Sequence, residues 1–233
     1  MRAVRGLAAA LLFAAFFALR STPAEAAVVM YQYDAAAVPA YEALAQQLLT
    51  ASAFFVPTGD LPTAEAIERQ LGIYFLGNLN FGYTYQRLPE GLICIPASNA
   101  QTIQKEAQAH YRAKAALDAL VQKSAALPET ERLKFYHDFL CTALNYDYPG
   151  YEKQRPAYRS VADALEHGLS VCDGYVKAFY YLCGASGIPV RYVINGPHAW
   201  NEVFTGGKWL KVDVTWDDCG WGYTYFLVPV DYR

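Results

Sequence analysis

Between Ser170 and Val228 the chain changes its periodicity once, and that change limits the layers it can build. Tyr175, Ala178, Phe179 and Leu182 recur at helical spacing, and Gly187 with Pro189 closes the stripe. Val190–Ile194, Ala199–Phe204, Lys208–Val214 and Tyr223–Val228 then read as strands, with Thr205-Gly206-Gly207 as the turn between the middle two. A helix followed by short-connected strands implies an antiparallel sheet with the helix packed on it, an α+β arrangement.

Two cap patterns lead into that helix. Ser160 and Asp163 form a box opening a short helix to His167, with Gly168 as its stop. Ser170-Val171-Cys172-Asp173 repeats the pattern, which makes Ser170 the expected N-cap and puts Cys172 in the first turn. Further upstream, Leu133, Tyr136, Leu140 and Leu144 share one face of a helix starting at Pro128, and Ser98 with Gln101 caps a long segment running to about Lys123. Tyr146–Pro156 reads as a polar, aromatic loop. Before these lie a strand at 28–33, helices at 41–49 and 63–74, and a hairpin of Phe81–Gln86 and Leu92–Ile95 around Arg87-Leu88-Pro89-Glu90-Gly91. No stretch has linker composition. The expected organisation is an N-terminal α/β extension over 27–125 and a chemical core over 126–233.

Composition narrows the function classes. Charged residues are 18% of 233, the net charge is −3, and the chain carries 19 Tyr and 12 Phe. That excludes a disordered tail and a basic nucleic-acid binder, so no nucleic-acid partner is expected. Residues 1–26 read as a secretory signal peptide: Arg2 and Arg5, the apolar run Gly6–Leu19, then Ala24-Glu25-Ala26 as a cleavage site. The expected location is secreted or extracytoplasmic, at the cell surface, with no membrane span after cleavage. Outside the cytoplasm the five Cys can form disulfides, and an odd number leaves at least one unpaired. Cys94, Cys141, Cys183 and Cys219 are buried thiols or members of one or two disulfides.

Three residues can do chemistry together. A helix start aims free N–H groups and partial positive charge at the Cys172 sulfur, which favours a thiolate and can hold an oxyanion. His198 opens one strand of the Gly206 hairpin and Asp213 closes the other. A turn centred between Thr205 and Gly206 sets them directly opposite, on one face, within reach of a hydrogen bond. A helix-start Cys followed by a His–Asp hairpin is the arrangement of thiol acyl-transfer enzymes. Tyr146, just upstream of the nucleophile helix, is a candidate oxyanion donor. Gly174 permits close approach of helix, sheet or substrate. Trp200, Asn201, Trp209 and Trp216 shape the cleft or brace the hairpin. His137 lies beside an apolar stripe, and His110 and His167 read as surface residues. No ligand spacing supports a metal, and no cofactor is expected.

These stretches resemble a known family. Ser170–Ala178 (SVCDGYVKA), Gly187-Ile188-Pro189, His198–Val203 (HAWNEV) and Gly207–Asp218 (GKWLKVDVTWDD) are similar to the transglutaminase-like superfamily, closest to the bacterial transglutaminase/protease-like domain also found in cytokinesis proteins. Leu133–Asp147 and Tyr225–Val228 resemble its upstream helix and closing strand. The likeness covers about residues 126–230. It implies a papain/transglutaminase-like core, with the catalytic triad falling on Cys172, His198 and Asp213. The implied activity is acyl transfer at an amide. A cysteine peptidase or amidase is favoured, because no calcium loop of D-x-D-x-D-G type is present. The alternatives are a protein-crosslinking transglutaminase and a non-catalytic surface binding module. The expected partner is a protein or peptide substrate, cell-wall or surface associated.

Overall fold

The computed structural model describes residues 28–218 and 222–232. The expected signal peptide, Met1–Ala26, and Cys219 lie outside them. The chain divides into two compact units, residues 36–111 and residues 28–35 with 112–232 among those described.

The first unit holds helices α1 (Val38–Gln47) and α2 (Leu61–Tyr74) and a three-stranded antiparallel sheet. Its strands are β2 (Phe54–Val56), β3 (Tyr83–Leu88) and β4 (Gly91–Pro96), in the order β2-β4-β3. The hairpin expected around residues 87–91 forms with a turn at Pro89-Glu90, tighter than the sequence implies. β2 has no sequence signature: its three residues are too few to show alternation. Helix α3 (Ala100–Ser124) carries the division between units. Asn99 caps it, accepting the Thr102 N–H at 2.9 Å in the place expected of Ser98. His110 is fully buried rather than exposed. It stacks on Phe75 with centroids 4.5 Å apart and accepts the Leu76 N–H at 3.0 Å.

In the second unit α4 (Glu129–Ala143), β5 (Asn145–Tyr146), α5 (Tyr148–Tyr151), α6 (Val161–His167), β6 (Leu169–Ser170) and α7 (Cys172–Ala185) precede the strands. Ser160 caps α6 as its pattern implies, and Gly168 ends it at φ 64°. The main sheet is antiparallel and runs β1-β7-β8-β9-β10, from β1 (Val29–Gln32), β7 (Val190–Asn195), β8 (His198–Thr205), β9 (Lys208–Val212) and β10 (Phe226–Pro229). A one-turn helix, α8 (Val214–Trp216), follows β9. Helix α7 packs on β7 and β8, which gives the helix-on-antiparallel-sheet layering expected of the α+β core. Its buried residues run all round the helix, Tyr175 and Phe179 being fully enclosed. Such a helix is stable only when covered on every side.

The loop before α6 is ordered by one carboxylate. Asp147, fully buried, takes both Arg155 guanidinium nitrogens (3.1 and 2.6 Å) and the N–H groups of Gly150 and Tyr158 (3.1 and 3.0 Å). Burial alone would raise its pKa. The two backbone N–H groups and the guanidinium outweigh that and hold it below the usual carboxylate range.

Candidate active site

Cys172 is the first residue of α7. The N-cap is Val171, and no side chain caps the helix. The Ser170 hydroxyl, expected there, donates instead to the Tyr158 carbonyl at 3.0 Å, because Ser170 is committed to a parallel pairing with Tyr146. The first-turn N–H groups thus lack a side-chain acceptor at the helix end that carries the sulfur.

The thiol departs from the sequence expectation in one respect. Cys172 is 8% exposed, and burial pushes its pKa up to about 11; Asp173 and Asp213 add to that, against the Ala199 backbone hydrogen bond and Arg159. Loss of hydration for the thiolate is the largest of these contributions. The contact with Ala199 also places the sulfur beside the start of β8, one residue from His198.

His198 and Asp213 meet, by a different register from the one the turn suggests. Thr205 pairs with Lys208, so the turn is Gly206-Gly207, with φ values of 58° and 79° that suit glycine in a two-residue hairpin. Asn201 faces Val212. Continued, that register sets Asp213 across from Trp200 and diagonal to His198, on the same face. The diagonal is short enough: His198 Nε2 lies 2.8 Å from Asp213 Oδ2. A carboxylate only accepts, so Nε2 carries the proton and, in the neutral ring, Nδ1 offers its lone pair. Asp213 is fully buried, and its other oxygen accepts the Trp216 N–H at 3.2 Å as the cap of α8. The Trp216 ring stacks on His198 at 4.6 Å and 4° between planes, which fixes the imidazole plane.

The remaining expected site residues have separate places. Tyr146 stands beside Ser170, its ring against Tyr148 (4.9 Å) and Tyr151 (5.9 Å). At Gly174 a Cβ would lie 2.1 Å from Ser170 Oγ and 3.3 Å from Ala164 Cβ, so the glycine serves the approach of α7 to α6 and β6. Trp200 is buried, beneath Lys211. Asn201 is buried, and its amide donates to the Val176 and Arg191 carbonyls, both at 3.2 Å, bracing α7 against the hairpin.

Three contributions are not legible in sequence. Lys211 is only 8% exposed and reaches Asp213 Oδ2 at 3.3 Å. Its alternation with Asp213 is the one sequence signal that sets both on one face. Asp217 accepts the Tyr225 N–H (2.9 Å) and pairs with buried His137 Nε2 (3.0 Å), tying α8 to β10 and α4; burial raises its pKa. Asp218 accepts the Tyr175 hydroxyl, binding the end of α8 to α7. Cys94, Cys141, Cys172 and Cys183 are free thiols. Among the described residues no group of His, Cys, Asp and Glu is arranged to hold a metal, and no helix is long and apolar enough to cross a membrane.

Residues 115–214 match the family described as the transglutaminase-like superfamily. Kyphoscoliosis peptidase of Homo sapiens is 31% identical over 123 residues, covering 45% of this chain and 18% of the relative. The Mus musculus protein of the same name is 30% identical over 105 residues, covering 38% and 16%. The chain therefore spans less than a fifth of these relatives' length. A solved structure described as a TGase overlaps 77% of this chain and 51% of its own at 16% identity and a TM-score of 0.37. The region from 115 to 214, which contains Cys172, His198 and Asp213, belongs to the transglutaminase-like superfamily.

Proposed function

We propose that the chain is an exported thiol enzyme that hydrolyses amide bonds, a cysteine peptidase or amidase acting on protein or peptide at the cell surface. The observation that carries the reading is the 2.8 Å His198–Asp213 contact at the strand end beside a helix-start Cys. The name peptidase borne by the two curated relatives points the same way, for a region that is a small part of them.

In the proposed reaction His198 Nδ1 takes the Cys172 proton as the sulfur attacks the amide carbonyl. The N–H groups opening α7, with Tyr146 as a further donor, stabilise the oxyanion. The imidazolium, held by Asp213, returns that proton to the leaving amine, and a thioester remains. Water, deprotonated by the same imidazole, releases the acid and restores the thiol. A neutral resting thiol suits this order, in which proton transfer accompanies attack. A lysine amine in place of water would give a crosslink.

The test is digestion of a peptide library by the chain lacking residues 1–26, in water enriched in the heavy oxygen isotope. New carboxyl ends carrying the label, lost in Cys172→Ala and His198→Ala, support hydrolysis. Amine-linked products without label would establish the crosslinking alternative. No covalent product at all, from a folded protein, would leave the binding-module reading in place.

A further inference from the structure

On the sheet face that carries His198 and Asp213, an ammonium group is enclosed by rings. Lys211 Nζ sits 4.4 Å from the centroid of Trp200, 4.4 Å from Trp216 and 5.5 Å from Tyr225. Trp216 is the ring that also stacks on His198. The same ammonium is 3.3 Å from Asp213 Oδ2, the oxygen that holds His198 Nε2 at 2.8 Å. One carboxylate oxygen therefore has two nitrogen partners, the Lys211 amine and the His198 ring.

We propose that Lys211 is a positioning residue of this site: its ring-caged ammonium shares Asp213 with His198 and limits how strongly the carboxylate draws a proton onto the imidazole. The inference rests on the Cys-His-Asp reading of the site. A lone buried carboxylate would favour imidazolium strongly, and a ring that keeps its proton is a poor base for the thiol. Paired with Lys211, the carboxylate presents a dipole instead of a net charge. The rings make this possible, since their faces attract a cation where water is excluded. The stem cannot swing away either, because Trp200 and Trp216 flank the nitrogen.

The other charged groups near the site are fixed. Asp173, held by Arg159 and the Tyr192 hydroxyl, faces Cys172 on α7. Asp217, on the turn after α8, is held by His137 of α4. Glu202 lies across from Lys211 in the ladder but is engaged by the Tyr232 hydroxyl at 2.6 Å and by Arg191 at 3.6 Å. That leaves Lys211 directed at Asp213.

The experiment is an NMR titration of the His198 ring in Lys211→Met and Lys211→Arg. The chain has 4 His, and the His198 signal is assigned by its loss in His198→Gln. Met keeps the stem and removes the charge; the His198 midpoint moves up by about 1 pH unit, the scale of one charge within about 6 Å. Arg keeps the charge over the rings, and the midpoint stays at the wild-type value. With a substrate in hand, the acid limb of kcat/KM, where the imidazole must shed its proton to act as base, moves up with the midpoint in the Met variant. An unmoved midpoint in folded Lys211→Met would overturn the proposal and leave the lysine a packing role. A midpoint that shifts as far in Lys211→Arg as in Lys211→Met would overturn it equally. The midpoint is read without any substrate, so it stands or falls apart from the amide-hydrolysis reading.

Discussion

The protonation state of Cys172 is the most informative property to measure, because the helix terminus and the burial of the thiol act on it in opposite directions. The perturbation is pH, and the assay is the rate of iodoacetamide alkylation, with each Cys assigned by peptide mass. A thiol pushed up to about 11 lies two units above the 9.0 of an ordinary cysteine. Two units correspond to a hundredfold smaller thiolate fraction, so at pH 7 Cys172 reacts about 100-fold more slowly than a free thiol of equal access. Its rate climbs about tenfold per pH unit from 7 to 10 and levels off near 11. Cys94 and Cys141, pushed up to about 12 by burial, react more slowly still, and Cys172 is the first labelled of the four described cysteines. A rate already high at pH 5–6 and flat to pH 8 would refute the reasoning. It would mean that a thiolate–imidazolium pair exists at rest and that the helix terminus prevails over desolvation.

Three further outcomes are expected. In Asp213→Asn the charge that holds the imidazolium is lost, and activity on the substrate found by library digestion falls by about 10²- to 10⁴-fold; a loss under tenfold would remove Asp213 from the machinery. Gly174→Ala drives a methyl into Ser170, whose hydroxyl is held by Tyr158 at 3.0 Å, and costs about 1–3 kcal/mol, read as a lower Tm; an unchanged Tm would mean that α7 and α6 yield freely. Buried thiols with raised pKa values stay protonated after unfolded ones ionise, so the folded state binds more protons above the ordinary thiol pKa. Their stabilisation is complete below pH 8 and declines as pH rises toward 11–12, and Tm falls over that window; Cys94→Ala reduces the slope, and an identical slope in that variant would contradict the assignment.

The sequence is most readable where one side chain or one turn decides the structure. Ser160 and Gly168 act within a few residues, and each has the conformation or contact its pattern implies, whereas the hairpin turn falls at Gly206-Gly207 rather than between Thr205 and Gly206 and shifts the register. Cys172 at a helix start and His198 at a strand start are legible for the same reason. Ser170 departs from its cap pattern because two uses compete for its hydroxyl, and pairing with the distant Tyr146 segment decides between them. His110 is buried against expectation because its spacing sets it on the face of α3 that carries Ile103, Ala107 and Leu117, all fully buried, and Phe75, 35 positions earlier, supplies a stacking surface. Lys211, His137 and Asp217 are invisible as site residues since their roles depend on which rings and carboxylates converge from four separate elements.

The alternation of β8 explains how so polar a set of residues fits inside a stable core. On one face Asn201 bonds the Val176 carbonyl, one helical turn beyond Cys172. On the other, His198 and Trp200 share Asp213 and Lys211. The strand thus separates two tasks. Its helix-side residues fix where the sulfur stands along β8, and its opposite residues fix the direction of the imidazole and the charge behind it. The sulfur touches the strand at its end, through the backbone at Ala199, where the two faces come together at an edge. A thiol on the helix and an imidazole on the sheet are each held by their own packed partners and come together at this edge. That placement needs a helix N-terminus and a strand N-terminus at the same end of the layer, which is the geometry that α7 followed by the hairpin of β7 and β8 provides.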